Sequence, residues 1–142
     1  MCFIAAEKIG LVMALKPPPS SFAELDSVVQ KRLPTAALEA TIARVFVSAE
    51  DRTNLLVRIV PQSKYKRRRG LLSTKESGRT ERLARVVATS DFVWNSEEDV
   101  RAFLTTPHPL LERRTPLDVS LTEIGARRVE ELLWRLHYGI AA

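Results

Sequence analysis

The chain has 142 residues, of which 45% are hydrophobic and 27% are charged, a composition typical of one globular domain or two small ones. Its single cysteine, Cys2, excludes an intramolecular disulfide and a cysteine-based metal site, and fits a reducing cytoplasm. The apolar start of the chain is too short to span a bilayer and lacks the basic residues of a signal peptide. We therefore predict a cytoplasmic protein.

Helix signals follow one another along the first two thirds of the chain. Residues 1–20 are predicted to form an N-terminal arm, either disordered and loosely held or a short helix ended by Pro17–Pro19. A capping serine followed three residues later by an acidic residue, or a proline at a helix start, predicts each of the next helices. Three of these helices begin at Ser21, Pro34 and Ser48, and a long helix extends over Ser73–Trp94.

In the remaining third of the chain, similar N-capping signals predict the starts of further helices. Ser96 precedes three carboxylates, Thr115 precedes a proline, and Thr122 begins a last helix that Gly139 can end in a left-handed conformation. No strand pairing is evident, so the predicted fold class is all-α. We predict a helix-turn-helix and dimerisation domain over residues 21–94 and a second helical domain over residues 95–142.

Positive charge is concentrated between Lys64 and Arg85, where nine basic residues accompany two acidic ones, although the whole chain carries only +5. A predicted helix, the turn Val60–Ser63 and a short basic helix give a helix-turn-helix order, in which the second helix enters the DNA major groove. Crowded cations repel one another unless an anion such as DNA phosphate lies against them. The alternative is a solvated basic helix that binds nothing. The predicted DNA-binding residues are Ser63, Lys64, Lys66, Arg67, Arg68 and Arg69.

The last helix presents two aromatic side chains away from its apolar stripe. At 100° per residue, Leu132, Leu133, Leu136 and Ile140 fall on the side of Val129, whereas Trp134 and Tyr138 fall on the opposite side. Exposed aromatic side chains at adjacent positions mark interfaces. The alternative is that a second helix of the same domain covers this face.

Catalytic and metal-binding motifs are missing from the sequence, so we predict that the protein is not an enzyme and needs no cofactor or metal. His108, between two prolines, is interpreted as a loop residue that makes a hydrogen bond, and His137 as a surface or interface residue.

Three segments together resemble the Xre/MbcA/ParS-like antitoxins, which are partners of RES-domain toxins. Val60–Arg68 (VPQSKYKRR) resembles the turn and recognition helix of that family, and Leu71–Val87 resembles its segment with a Glu-Ser pair and spaced arginines. Ser96–Ala142, with its P-x-P loop, its R-T-P-L motif and its final E-x-L-x-R-x-x-Y-G pattern, resembles the family's C-terminal toxin-binding domain. Lys64, Tyr65 and Gly78 depart from the family pattern.

The resemblance implies an antitoxin of a type II toxin–antitoxin system that neutralises a toxin which degrades NAD or uses it for ADP-ribosylation. It also implies a homodimer within a hetero-oligomeric complex, and repression of the operon through operator DNA. The predicted toxin-binding residues are Arg113, Arg114, Trp134, His137, Tyr138, Gly139 and Ile140. For the two arginines the alternative is a structural role at the loop. For the whole chain the alternatives are a stand-alone helix-turn-helix regulator and a helical adaptor.

Overall fold

The computed structural model describes residues 3–61 and 70–139. These residues form eight α-helices and one 3-10 helix (Pro109–Leu111), and their β-structure is limited to two isolated bridges. The predicted all-α fold is therefore confirmed. The α-helices are α1 (Ala6–Val12), α2 (Phe22–Gln30), α3 (Thr35–Val45), α4 (Ala49–Ile59), α5 (Thr74–Trp94), α6 (Glu97–Thr105), α7 (Pro116–Val119) and α8 (Glu123–His137).

Helix α5 is the centre of the fold and contacts α1, α2, α3, α4, α6 and α8. Its interior positions are buried on more than one side, and several of them are small or hydroxyl-bearing. Thr80, Thr89 and Ser90 are buried without orphaned hydroxyls, because each donates to the carbonyl oxygen four residues earlier at 2.8–2.9 Å. A helix of this composition can be packed from several directions, which is how one element supports both halves of the chain.

The predicted helix starts are found where the capping signals placed them. The Ser73 hydroxyl accepts from the Glu76 amide at 3.1 Å while the Glu76 carboxylate accepts from the Ser73 amide at 2.8 Å, a complete capping box. Ser21, Ser48 and the later N-cap residues bond the backbone three residues on in the same way. At the other end of α8, Gly139 has a φ of 69°, as expected for a left-handed residue after a helix.

The N-terminal arm contains a short helix, one of the two alternatives that its sequence left open. Helix α1 has no side-chain cap, yet Ile9 is fully buried and Met13 is 1% exposed. Its burial against α5 compensates for the weak local signal, since packing rather than propensity stabilises most protein helices. In the structure this segment contributes to the core.

Buried apolar side chains from both predicted domains form one continuous cluster. It includes Leu38 of α3, Val87 of α5, Leu104 of α6 and Leu133 of α8. The division into domains at residues 94 and 95 remains a prediction. The last helix, which carries the predicted interface residues, therefore rests on the same core as the first four.

The predicted DNA-binding residues Ser63, Lys64, Lys66, Arg67, Arg68 and Arg69 lie outside the described residues. The two flanks of this segment are well anchored. Val60 and Leu72 are both fully buried. The Leu72 amide donates to the Leu33 carbonyl, and the Gly70 carbonyl accepts from the Thr35 amide, both at 2.9 Å. The described residues on both sides of range 62–69, which we call the basic run, are thus attached to the helical core.

Candidate functional site

The carboxyl ends of α5 and α8 bring four rings together in what we call the aromatic cluster: Phe92, Trp134, His137 and Tyr138. Trp134 and Tyr138 are stacked at 28° with ring centroids 6.3 Å apart. Phe92 lies 5.5 Å from Trp134 and 5.0 Å from His137, and His137 lies 4.9 Å from Tyr138. These are the distances of favourable ring pairs. Phe92 precedes the other three cluster residues by 42 or more positions in the sequence.

The aromatic cluster is open to solvent on one side. Tyr138 is 60% exposed and Phe92 is 45% exposed, whereas Trp134 is partly buried. On the opposite face of α8, Val129, Leu132 and Leu133 are buried in the core. Phe92 of α5, a helix outside predicted domain 95–142, therefore covers Trp134 in part but leaves Tyr138 accessible. Such an exposed aromatic surface has the composition of a protein-binding site.

Ion pairs between α5 and α8 fix the orientation of the last helix. Arg85 Nε donates to Glu130 at 2.8 Å and its other nitrogens lie near Glu81 and Glu123. Burial raises the pKa of Glu81 and of Glu130, and the Arg85 charge opposes this rise in both. At Glu123 burial acts in the same direction, but the hydrogen bond from Arg82 and the neighbouring guanidinium charges hold the pKa below its ordinary value.

The loop before α7 is closed by its own backbone. The His108 amide donates to the Arg114 carbonyl at 3.1 Å, and His108 Nδ1 accepts from the Leu110 amide at 3.1 Å. The interpretation of His108 as a hydrogen-bonding loop residue is confirmed. Glu112 and Arg113 both have positive φ values, of 53° and 60°, and the loop conformation leaves the side chains of Arg113 and Arg114 exposed.

The first turn of α8 requires a glycine. A β-carbon on Gly125 would lie 1.7 Å from the Val119 carbonyl oxygen. The Thr122 hydroxyl caps α8 by accepting from the Gly125 amide at 3.0 Å. The close approach sets the angle at which α8 leaves the turn, and hence where the aromatic cluster lies.

The structure places the predicted toxin-binding residues at two locations. Trp134, His137, Tyr138 and Gly139 lie at the end of α8, and the arginine pair lies on the loop before α7. Ile140 lies outside the described residues. Sequence analysis missed Phe92, because only the packing of α5 on α8 brings it to the cluster. The sequence did offer one signal for Phe92: it lies near the end of the long predicted helix, two residues before a second large aromatic residue, Trp94.

Metal-ligand groupings and membrane-spanning helices are both missing from the described part of the chain. In ranges 3–61 and 70–139 no three histidine, cysteine or acidic side chains are grouped as metal ligands would be. Over the same ranges no helix has both the length and the hydrophobicity that crossing a bilayer requires. The same ranges contain the exposed aromatic cluster, and exposed clusters of large aromatic side chains are typical of protein-binding surfaces.

The fold and the exposed cluster together define a helical protein-interaction domain. Comparison with family models identifies which one: residues 90–139 match the antitoxin Xre/MbcA/ParS C-terminal toxin-binding domain. The matched range covers 50 of the 142 residues, and over this range the resemblance seen in the sequence is confirmed. The matched range contains the whole aromatic cluster and the loop that carries Arg113 and Arg114. A comparison with curated proteins gave no match.

Proposed function

We propose that the chain neutralises a RES-domain toxin, which degrades NAD or uses it for ADP-ribosylation, by covering the toxin's active site with the end of α8. The observation that supports this most is the exposed aromatic cluster inside the matched toxin-binding range. Large aromatic side chains dominate binding energy when they are enclosed at an interface. Tyr138, at 60% exposure, still has more than half of its surface available for such enclosure.

The chain residues that follow the cluster complete the proposed block. Gly139 redirects the backbone directly after the helix, and three residues, Ile140–Ala142, follow it. We propose that this segment obstructs the entrance through which NAD reaches the toxin. Arg113 and Arg114 supply cations for acidic groups on the toxin, since their side chains are exposed.

A pair of substitutions on one helix tests the block. Tyr138→Ala removes an exposed aromatic of the cluster, and Ile124→Ala removes an exposed apolar side chain, 74% exposed, at the opposite end of α8. With NAD consumption by the cognate RES-domain toxin as readout, Y138A weakens inhibition about 30-fold or more, the size of an interface hot spot, and I124A inhibits like wild type. Deletion of 137–142 frees the toxin. Full inhibition by that truncated chain would refute the block.

We propose in addition that the chain forms a homodimer and represses its own operon through the basic run between the two anchored flanks. Phosphate contacts make the affinity for DNA fall steeply as salt rises: the logarithm of the association constant falls against the logarithm of the salt concentration with a slope of about −0.9 per neutralised phosphate. Replacing Lys64, Arg67 and Arg68 by glutamine removes operator binding and leaves toxin inhibition intact. The matched control replaces three exposed cations elsewhere in the chain: Lys31, Arg127 and Arg135. Equal loss of operator binding in both triple variants would show that the basic run is not the DNA-binding segment.

A further inference from the structure

A second apolar surface lies on the other side of the same two helix ends. Trp94, Phe103, Pro107 and Leu136 line an open groove of about 340 Å³, which we call the apolar groove. Trp94 and Phe103 are in ring contact with centroids 5.8 Å apart, and Trp94 is 37% exposed. The groove shares no lining residue with the aromatic cluster. All of its lining residues fall inside the matched range 90–139.

The spacing along each helix explains why there are two surfaces. Phe92 belongs to the cluster and Trp94 to the groove, and the two are separated by two positions on α5. On α8 the same separation divides Trp134 of the cluster from Leu136 of the groove. Two helical positions correspond to about 200° of rotation, so each helix end presents one ring or apolar side chain to each side. A partner that bound both the aromatic cluster and the apolar groove would contact the ends of α5 and α8 on two opposite sides.

The polar groups of the groove favour a peptide segment with a positive charge. Asp99 lines the groove, is exposed, and forms no ion pair with any residue in ranges 3–61 and 70–139. Glu97 and Glu98, also exposed, precede it at the start of α6. The other ionisable lining residue is His108, whose Nδ1 is already used as an acceptor. The neutral ring therefore keeps Nε2–H as a donor for a carbonyl oxygen.

We propose that the apolar groove anchors a segment of the toxin in which an apolar side chain is followed or preceded by a lysine or arginine. This proposal deepens the proposed function and rests on it: the aromatic cluster blocks the toxin, and the groove holds it. The apolar side chain replaces water against Trp94 and Phe103. The cation pairs with Asp99, and a backbone carbonyl accepts from His108.

An alanine that lines the groove provides the test. Ala102, exposed on α6, is replaced by arginine, whose stem fills the groove and whose guanidinium lies within reach of Asp99, three residues away. The same substitution at Ala23, an exposed helical alanine on α2, is the control. The probe is a catalytically inactive form of the cognate RES-domain toxin, and the readouts are its dissociation constant and the sedimentation mass of the free chain.

We expect A102R to bind the inactive toxin at least tenfold more weakly than A23R. In a separate assay with the active toxin, we expect saturating A102R still to inhibit NAD consumption fully. We also expect Asp99→Asn to reduce the salt dependence of toxin binding. Equal affinity of A102R and A23R overturns the groove proposal while the wild-type chain still inhibits. A change of oligomeric mass in A102R alone assigns the groove to a second copy of the chain and overturns the toxin as its occupant. A wild-type chain that fails to bind the toxin overturns the proposed function itself.

Discussion

Replacing Gly125 by alanine would place a methyl carbon 1.7 Å from the Val119 carbonyl oxygen and 2.7 Å from the Thr122 hydroxyl oxygen. Ordinary contact at a β-carbon begins at 3.4 Å. The Val119 carbonyl belongs to the backbone, so no side-chain rotation relieves the clash. The start of α8 must move away from α7, and the Thr122 cap is disturbed with it.

The size of the effect follows from this geometry. Overpacking a well-filled site costs about 1–3 kcal/mol, and a clash with backbone belongs at the upper end of that range. At this chain length 1 kcal/mol corresponds to roughly 2–4 °C in melting temperature, so G125A is expected to melt roughly 6–12 °C below wild type. Because α8 carries the aromatic cluster, toxin affinity falls in the same variant.

Gly78 offers a matched control, since it is also helical but a β-carbon there would meet nothing within 4 Å. Alanine has the higher helix propensity, so G78A is expected to be more stable by about 0.5–1 kcal/mol. Thermal unfolding followed by circular dichroism measures both variants. A G125A variant that melts within about 2 °C of wild type, by this order-of-magnitude scale, would show that the first turn of α8 does not require glycine.

Three further predictions concern stability and are measured by chemical denaturation. Burial raises the pKa of Glu81 above its ordinary 4.5, and the Arg85 charge opposes this rise. The stabilisation from protonated Glu81 is therefore full below pH 4.5 and is lost as pH rises through the raised pKa, so wild type loses stability relative to E81Q as pH rises above 4.5. A difference between wild type and E81Q that stays constant with pH would contradict this. The Arg58–Asp118 pair, at 2.8 Å with side chains 48% and 41% exposed, should show a coupling energy of only about 0.2–1 kcal/mol in a double-mutant cycle. Ile9→Ala should cost about 2–5 kcal/mol, because Ile9 is fully buried; a cost near zero would show that α1 is not part of the core.

Local signals predicted the parts of the fold that local chemistry controls. The Ser73–Glu76 capping box needs only two side chains and the backbone between them, and it was found where the sequence placed it. Helix α1 could not be assigned in this way, since Ala5 at its start provides no side-chain cap. It depends on contacts with α5, which lies more than 60 residues later.

In the candidate site, too, the sequence predicted features within one helix but not contacts between helices. Helical spacing predicted that Trp134 and Tyr138 lie on the face opposite the core stripe, and the rings are stacked there. The contribution of Phe92 and the pairing of Trp94 with Phe103 depend on how α5 packs against α6 and α8. Periodicity within one helix contains no information on that packing, so the cluster was predicted in part and the groove was not.

Hydrogen–deuterium exchange of the chain with and without the cognate RES-domain toxin tests the central claim, that the end of α8 docks on the toxin. Amides that are enclosed by a partner exchange more slowly because their opening is suppressed. Toxin binding is predicted to slow exchange over residues 134–139 and to leave α2 (Phe22–Gln30) unchanged. Protection confined to the first four helices, with unchanged exchange over residues 134–139, would contradict the account.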